Sequence, residues 1–264
     1  MKIVTNSAEL VSGCAFVPTM GALHEGHASL FRIAKELNQN VIASIFVNPL
    51  QFENKEDLAK YPRTPDRDIE LAEASGVTHL WLPNQNEIYP SQPKVISAGQ
   101  LGDIYEGAAR KGHFDGVLTV VQRLFDLVKP AQAVFGEKDF QQLAIVKTIA
   151  GDIEIIQAPI IREADGVAAS SRNVRLDEIS REKSVVISKA LILASRADSL
   201  SDSRKILKEV LTSEDALTLD YAEIIDEVDF SKAIESTEKK RGIVAGWING
   251  VRLLDNMQMN FGGK

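Results

Sequence analysis

Cysteine is almost missing from this sequence: Cys14 is the single one in 264 residues. One thiol excludes an internal disulfide framework and a cysteine-rich zinc site, so a reducing compartment is the expectation. Cys14 itself reads as a small buried apolar residue. Long apolar runs are missing too. No window approaches the roughly 20 apolar residues that cross a bilayer, and the stretch Val4 to Val11, broken by Asn6 and Glu9, is not the apolar core of a signal peptide. A soluble, cytoplasmic chain is expected. Basic excess is absent: 30 Lys and Arg stand against 37 Asp and Glu, a formal charge of −7. Nucleic-acid or anionic-membrane surfaces need the opposite balance, so neither partner is expected and any anionic ligand must be held by a few local cations. Histidine is scarce, four in all, yet His24 and His27 stand at i and i+3.

What remains is an ordinary globular composition, 44% hydrophobic and 25% charged, which excludes a disordered, collagenous or fibrous chain. At about 150 residues per domain, the length predicts one or two domains able to bury a core unaided. Before residue 160, short apolar β-branched runs alternate with helix-period segments. Residues 14–17, 41–47, 79–82, 133–135 and 154–158 read as buried strands, and 28–37, 66–75, 117–128 and 140–150 as helices, with Gly76, Pro130 and Gly151 as stop signals. This alternation predicts an α/β fold, a doubly wound parallel sheet with ligands outside the carboxyl ends of its strands. Further on the rhythm changes to helices over 178–199 and 203–211, then strands over 219–227, 243–248 and 251–254. Asn249-Gly250 between apolar runs is a hairpin signal, because both central residues of a type I′ turn need positive φ. A smaller C-terminal α+β domain is expected, divided from the first near Pro159, where the polar turn Arg162-Glu163-Ala164-Asp165-Gly166 follows.

Four runs concentrate the polar chemistry. Residues 18–27, Pro-Thr-Met-Gly-Ala-Leu-His-Glu-Gly-His, lead from a strand through glycines into a helix start, which gathers backbone N–H groups and a positive dipole end suited to a phosphate. His24 and His27 share a helix face from which imidazole N–H groups donate to an oxygen gaining charge. Two other readings stand beside this: a metal-binding pair, or imidazoles that only cap the helix. After the second strand, Asn48 and Gln51 each donate and accept, which suits a small polyol or hydroxy acid, although Asn-Pro is also a routine turn. After the fourth, Gly136 permits close backbone approach, Lys138 suits a phosphate and Asp139 a ribose or a helix N-cap, with Gln142 on the same side. At the domain junction, Ser170, Ser171 and Arg172 form either a polyphosphate clamp or a Ser/Thr turn before the next helix.

Taken together these runs resemble the pantoate:β-alanine ligase (pantothenate synthetase) family. Its pattern Pro-Thr-Met-Gly-x-Leu-His-x-Gly-His is met at 18–27, Phe-Val-Asn-Pro-x-Gln-Phe at 46–52 and Gly-Glu-Lys-Asp at 136–139. Tyr61-Pro62-Arg63-Thr64, Gly112-His113-Phe114-Asp115-Gly116-Val117 and Ser170-Ser171-Arg172-Asn173 match as well, all in family order. Two departures stand out: Lys111 where Pro is usual, and Arg67 beside Asp68 where a second acid is common.

The resemblance implies a Rossmann-like domain over 1–161 that binds nucleotide and pantoate, and a lid domain over 162–264. It implies a cytoplasmic homodimer that uses ATP with Mg2+. Pantoate carboxylate attacks the α-phosphorus of ATP to give pantoyl adenylate and pyrophosphate, and the amine of β-alanine then displaces AMP. The family's roles place Met20, Gly21, Ala22, Leu23, His24, Glu25, Gly26 and His27 against ATP, with His27 as proton donor. Lys138, Ser170, Ser171 and Arg172 hold the remaining phosphates, Gly136 and Asp139 the ribose, and Glu137, Ile161 and Ala169 complete the nucleotide contacts. Gln51, Gln142 and Met20 take pantoate on a floor supported by Asn48, and Asp68 is the candidate protein ligand of magnesium. Whether His27 gives up its proton or only hydrogen-bonds is open at this level. A nucleotidyltransferase of the same His-x-Gly-His superfamily and a non-catalytic nucleotide sensor are the rival readings.

Overall fold

The computed structural model describes residues 1–53 and 55–260. The chain divides into two compact units, Met1–Ile161 and Arg162–Lys264. In the first, β1 (Lys2–Val4), β2 (Ala15–Thr19), β3 (Val41–Ile45), β4 (His79–Trp81), β5 (Gln132–Gly136) and β6 (Glu154–Ala158) form one parallel sheet in the order β1-β4-β3-β2-β5-β6. Its helices are α1 (Glu25–Leu37), α2 (Lys55–Lys60), α3 (Pro65–Ala74), α4 (Gln85–Ile88), α5 (Glu106–Ala109), α6 (His113–Val128) and α7 (Phe140–Lys147).

Alternation along the strands explains the layers. Side chains on a strand face opposite ways in turn, so Phe16, Ile42 and Trp81 pack with Val117, Val121, Leu124 and Phe125 of α6 on one face. Ala15, Val17, Ala43 and Leu80 pack with Phe31 and Ala34 of α1 and Ala72 of α3 on the other. Strand order reverses between β2 and β5, the topological switch point at which doubly wound sheets open to ligand. The two loops that leave this point are residues 20–24 and 137–139.

The five strands expected here are present: β6 has the expected bounds, β3 and β4 end early, and β2 and β5 run one or two residues further. The run 41–47 leaves the sheet at Ile45, and the helix expected over 140–150 ends at Lys147, three residues before the stop region marked by Gly151 at φ 55°. β1 has no sequence signal, being three residues long; pairing with β4 from Lys2 to Val4 makes it a strand.

The second unit packs α8 (Glu178–Ser195) and α9 (Leu200–Thr212) on an antiparallel sheet of β7 (Thr218–Asp226), β8 (Lys240–Ile248) and β9 (Val251–Met259). Its core joins Ile187, Leu191, Leu200 and Leu207 to Ile224, Val244 and Leu253. The helix expected to reach residue 199 stops at Ser195 because Ser199 caps α9, accepting from the Asp202 amide at 3.0 Å. Asn249 and Gly250 have φ of 49° and 72°, as the type I′ hairpin requires.

Candidate functional site

The loop from β2 to α1 is shaped by one buried carboxylate. Gly21 (φ 82°) and Ala22 (φ 50°) take left-handed conformations, turning the amides of Ala22 and Leu23 onto Asp68 at 2.9 and 2.7 Å. Thr64 donates to the same carboxylate at 2.9 Å, and Thr19 Oγ1 accepts from the Gly21 amide at 3.2 Å. A Cβ at Gly21 would sit 2.9 Å from Ile45 Cγ2 and 3.0 Å from Asp68 Oδ2, so glycine is required for both torsion and space. Asp68 is the residue expected to meet magnesium. At 1% exposure, with three donors on its two oxygens, it clamps the loop and has little acceptor capacity left.

The two histidines form a reciprocal cap. His24 Nδ1 accepts from the Gly26 amide at 3.1 Å, and His27 Nδ1 accepts from the His24 amide at 3.3 Å, with ring centroids 4.1 Å apart. The capping alternative is therefore part of the structure, and it fixes chemistry as well. An Nδ1 that accepts carries no proton, so the His27 ring hydrogen lies on Nε2, which has no partner among the described residues. Burial, then the neighbouring His24 and Lys138, hold His27 well below the usual histidine range. His27 is thus a neutral donor. Met20 and Gly26 are half-buried, Ala22 and Leu23 are buried, and Glu25 is an exposed ion pair with Arg32 at 2.7 Å, which leaves its backbone as the part able to meet a ligand.

Beyond β3, Asn48 caps a 3-10 turn, Pro49–Gln51. Its Oδ1 accepts from Tyr89 Oη at 2.9 Å and the Leu50 amide at 3.3 Å; its Nδ2 donates to Gly116 O at 3.0 Å and Gln51 Oε1 at 3.1 Å. Burial pushes the Tyr89 phenol up, which keeps it a donor. Two donors on Oδ1 fix the Asn48 amide, and that in turn fixes Gln51: its oxygen faces Asn48 and its Nε2 hydrogens face away, without a partner among the described residues. Asn48, 1% exposed, is a support for Gln51.

After β5, Gly136 has an ordinary φ of −79°, and a Cβ there would meet only Leu30 Cδ2 at 3.8 Å, so packing does not demand glycine. Glu137 accepts from Gln157. Lys138 Nζ lies 3.8 Å from Asp139 Oδ2 and close enough to His27 to depress its pKa, which joins this loop to the histidine pair. Asp139 occupies the N-cap position of α7 but makes no side-chain capping bond, contrary to the capping alternative; its carboxylate is half-exposed. Gln142, one turn on, is half-buried with no partner among the described residues, whereas Gln141 is spent on structure, donating to Leu101 O at 2.7 Å and Ile104 O at 2.9 Å. Among the described residues, no three His, Cys, Asp or Glu side chains meet as a metal-binding group.

Ile161 closes the first unit, half-buried. Ala169, Ser170, Ser171 and Arg172 belong to the second, in a segment held by buried polar contacts. Arg162 pairs bidentately with Asp255 of β9 at 2.6 and 3.0 Å and bridges to Ala168, while Asn173 donates to Glu163 at 2.7 Å and Ala168 O at 3.1 Å. Ser170 Oγ accepts from the Arg172 amide at 3.2 Å, so the Ser/Thr-turn reading is realised as well. Sequence reasoning gave no role to Thr19, Thr64, Tyr89, Arg110 or His113; Thr19, Thr64 and His113 sit inside matched runs, but the partners of Thr19 and His113, Ser44 and Gln51, lie far off in the chain and left no local signal of what they hold.

The pantoate-beta-alanine ligase family profile matches residues 2–258. Pantothenate synthetase of Acidothermus cellulolyticus is 46% identical over 96% of this chain and 87% of its own, and that of Bacteroides fragilis 42% over 92% and 89%. Among solved structures, pantothenate synthetase of Thermus thermophilus superposes with a TM-score of 0.93 at 39% identity, covering 98% of this chain and 99% of that one. Pantoate-beta-alanine ligase of Francisella tularensis, complexed with β-γ ATP and β-alanine, gives 0.83 at 34% identity with 99% of each chain covered. With its parallel sheet, its histidine pair at the switch point and this similarity along nearly its whole length, the chain belongs to the pantoate-β-alanine ligase family.

Proposed function

We propose that this chain forms pantothenate in two steps on one pocket of donors. A pantoate carboxylate oxygen attacks the α-phosphorus of ATP, the bond to pyrophosphate breaks, and pantoyl adenylate remains. The β-alanine nitrogen then attacks the acyl carbon, the acyl–oxygen bond breaks, AMP leaves and the nitrogen loses a proton. A carboxylate accepts an amine poorly until its oxygen can leave, and transfer to phosphorus needs positioning and charge neutralisation more than a protein nucleophile. The observation that carries this reading is the polarity of the site: Nε2–H of His27 and Nε2–H of Gln51 are both held as donors by backbone and side-chain partners on their other sides.

Within the proposal, His27 donates to the transferring phosphoryl group without giving up its proton, and His24 and Lys138 meet the phosphates beside it. The ribose lies on Gly136 and Asp139, with Met20–Gly26, Glu137 and Ile161 lining the nucleotide. Gln51 and Gln142 hold pantoate oxygens and Met20 its methyl groups. Ala169, Ser170, Ser171 and Arg172 of the second unit, read as a lid domain over 162–264, grip the remaining phosphates. Magnesium enters on ATP as part of the substrate, since Asp68 already accepts from Ala22, Leu23 and Thr64. The assembly is a cytoplasmic homodimer, for which sedimentation at micromolar concentration should give twice the 28.9 kDa chain mass.

Incubation with ATP and pantoate, with and without β-alanine, tests the reaction. AMP and pantothenate should accumulate only with the amine present. Formation of neither AMP nor pantothenate would support the nucleotidyltransferase reading, and ATP binding without pyrophosphate release the sensor reading. Gln142→Ala should weaken pantoate much more than ATP; equal losses would remove Gln142 from the acid pocket.

A further inference from the structure

The run Gly112-His113-Phe114-Asp115-Gly116 at the start of α6 has no part in the chemistry above, yet its polar atoms converge on the turn that carries Gln51. His113, 6% exposed, sits with Nδ1 2.9 Å from the Gln51 carbonyl oxygen. Its Nε2 lies 3.0 Å from Arg110 Nη1, and Arg110 Nη2 donates to the same Gln51 carbonyl at 3.4 Å. A guanidinium has only donors, so Nε2 must accept and the ring hydrogen must be on Nδ1, pointing at Gln51. Arg110 is held in turn by Glu106 at 3.4 Å. One helical turn on, the Gly116 carbonyl receives Asn48 Nδ2 at 3.0 Å, and a Cβ at Gly116 would fall 2.4 Å from Leu50 O and 2.7 Å from Gln51 N. The turn therefore lies flat on α6, gripped at Asn48 by the Gly116 carbonyl and at Gln51 by His113.

We propose that His113 is a positioning residue for the acid substrate: its Nδ1–H fixes the Gln51 backbone, and so aims the Gln51 side-chain amide at a pantoate oxygen. Arg110 selects the tautomer that does this. The inference rests on the reading of Gln51 as a pantoate contact. His113 touches no substrate; it acts on the acid half of the site, through the Gln51 carbonyl.

Four single variants and one double variant test it. Asn places an N–H donor near the position of His Nδ1, while Gln places its polar atoms near Nε2 and leaves the Gln51 carbonyl without that donor. His113→Gln and His113→Ala should raise KM for pantoate about tenfold, the scale of one lost hydrogen bond, with a smaller loss in kcat and KM for ATP within about twofold. His113→Asn should recover most of the pantoate affinity. In a Gln51→Ala background, His113→Gln should add no further loss for pantoate, since the group it aims is gone. Equal pantoate KM in His113→Gln and His113→Asn, or additive losses in the double variant, would overturn the positioning role. A Gln51→Ala variant with unchanged pantoate KM would instead overturn the reading beneath it. If His113→Ala fails to fold, the Asn and Gln pair decides alone.

Discussion

At the scale of single residues, the site works by making side chains one-way. Neutral imidazoles and amides both donate and accept, and each has been committed by a neighbour: His27 by the His24 amide, Gln51 by Asn48, Asn48 by Tyr89 and the Leu50 amide. Removing one preorganised donor from a developing charge costs about 2–4 kcal/mol of transition-state stabilisation. His27→Ala and Lys138→Ala should each lose that much in the pyrophosphate-forming half-reaction, measured by single-turnover pyrophosphate release. Unchanged release would remove the residue from the phosphoryl site. The depressed pKa of His27 also has a signature in stability. The unfolded chain takes up a proton on this ring near pH 6.5, while the folded chain refuses it until well below, because burial first, then His24 and Lys138, disfavour the charged ring. The unfolded state then binds more protons, so this contribution is whole above pH 6.5 and is lost as pH falls toward the folded value. Urea unfolding between pH 7 and pH 5 should show stability falling less steeply in His27→Gln than in the parent; identical slopes would contradict it.

At the scale of elements, loops are held by long-range contacts to buried groups, and this is where sequence reading stopped. The run 18–27 is legible because its glycines and histidines have local meaning, and the helix after it shows its period. His24 as the N-cap is not, since imidazole is an unusual capping group, so α1 begins at Glu25, three residues before its apolar period starts. Short polar α2, α4 and α5 carry no period at all. The site shows the same split. Gln51 and Lys138 stand in runs that announce themselves, whereas the clasp of His113 on Gln51 spans 62 residues and that of Asp68 on Leu23 spans 45. Asp68→Asn tests the second clasp. An amide in place of the carboxylate turns an N–H toward a loop amide, which should cost about 1–3 kcal/mol in denaturant unfolding. The Mg2+ concentration for half-maximal activity should stay where it was; a large rise would restore Asp68 as a metal ligand.

For the whole molecule, a formal charge of −7 sits beside the proposed binding of a polyanion. The answer is local: loops at the switch point gather Lys138, a helix start and two imidazoles, while Arg172 lies in the second unit. That unit holds its share of the proposal through the Arg162–Asp255 pair, in which the Asp255 side chain is 4% exposed. Asp255→Ala would leave a guanidinium without its carboxylate, so unfolding of the second unit should become easier by about 3–5 kcal/mol. The fluorescence of Trp247 in a Trp81→Phe background reports that unit, because the two tryptophans fall one in each. An unshifted midpoint would show that the pair does not hold the hairpin.

The central claim concerns a single oxygen. In the two-step reaction, the pantoate carboxylate oxygen that attacks the α-phosphorus stays on phosphorus when β-alanine takes the acyl group. Pantoate labelled with 18O in its carboxylate, turned over with ATP and β-alanine and followed by mass spectrometry, should deliver one labelled oxygen to AMP and none to pyrophosphate. AMP without label, or label in pyrophosphate or inorganic phosphate, would contradict the adenylate and the whole assignment built on it.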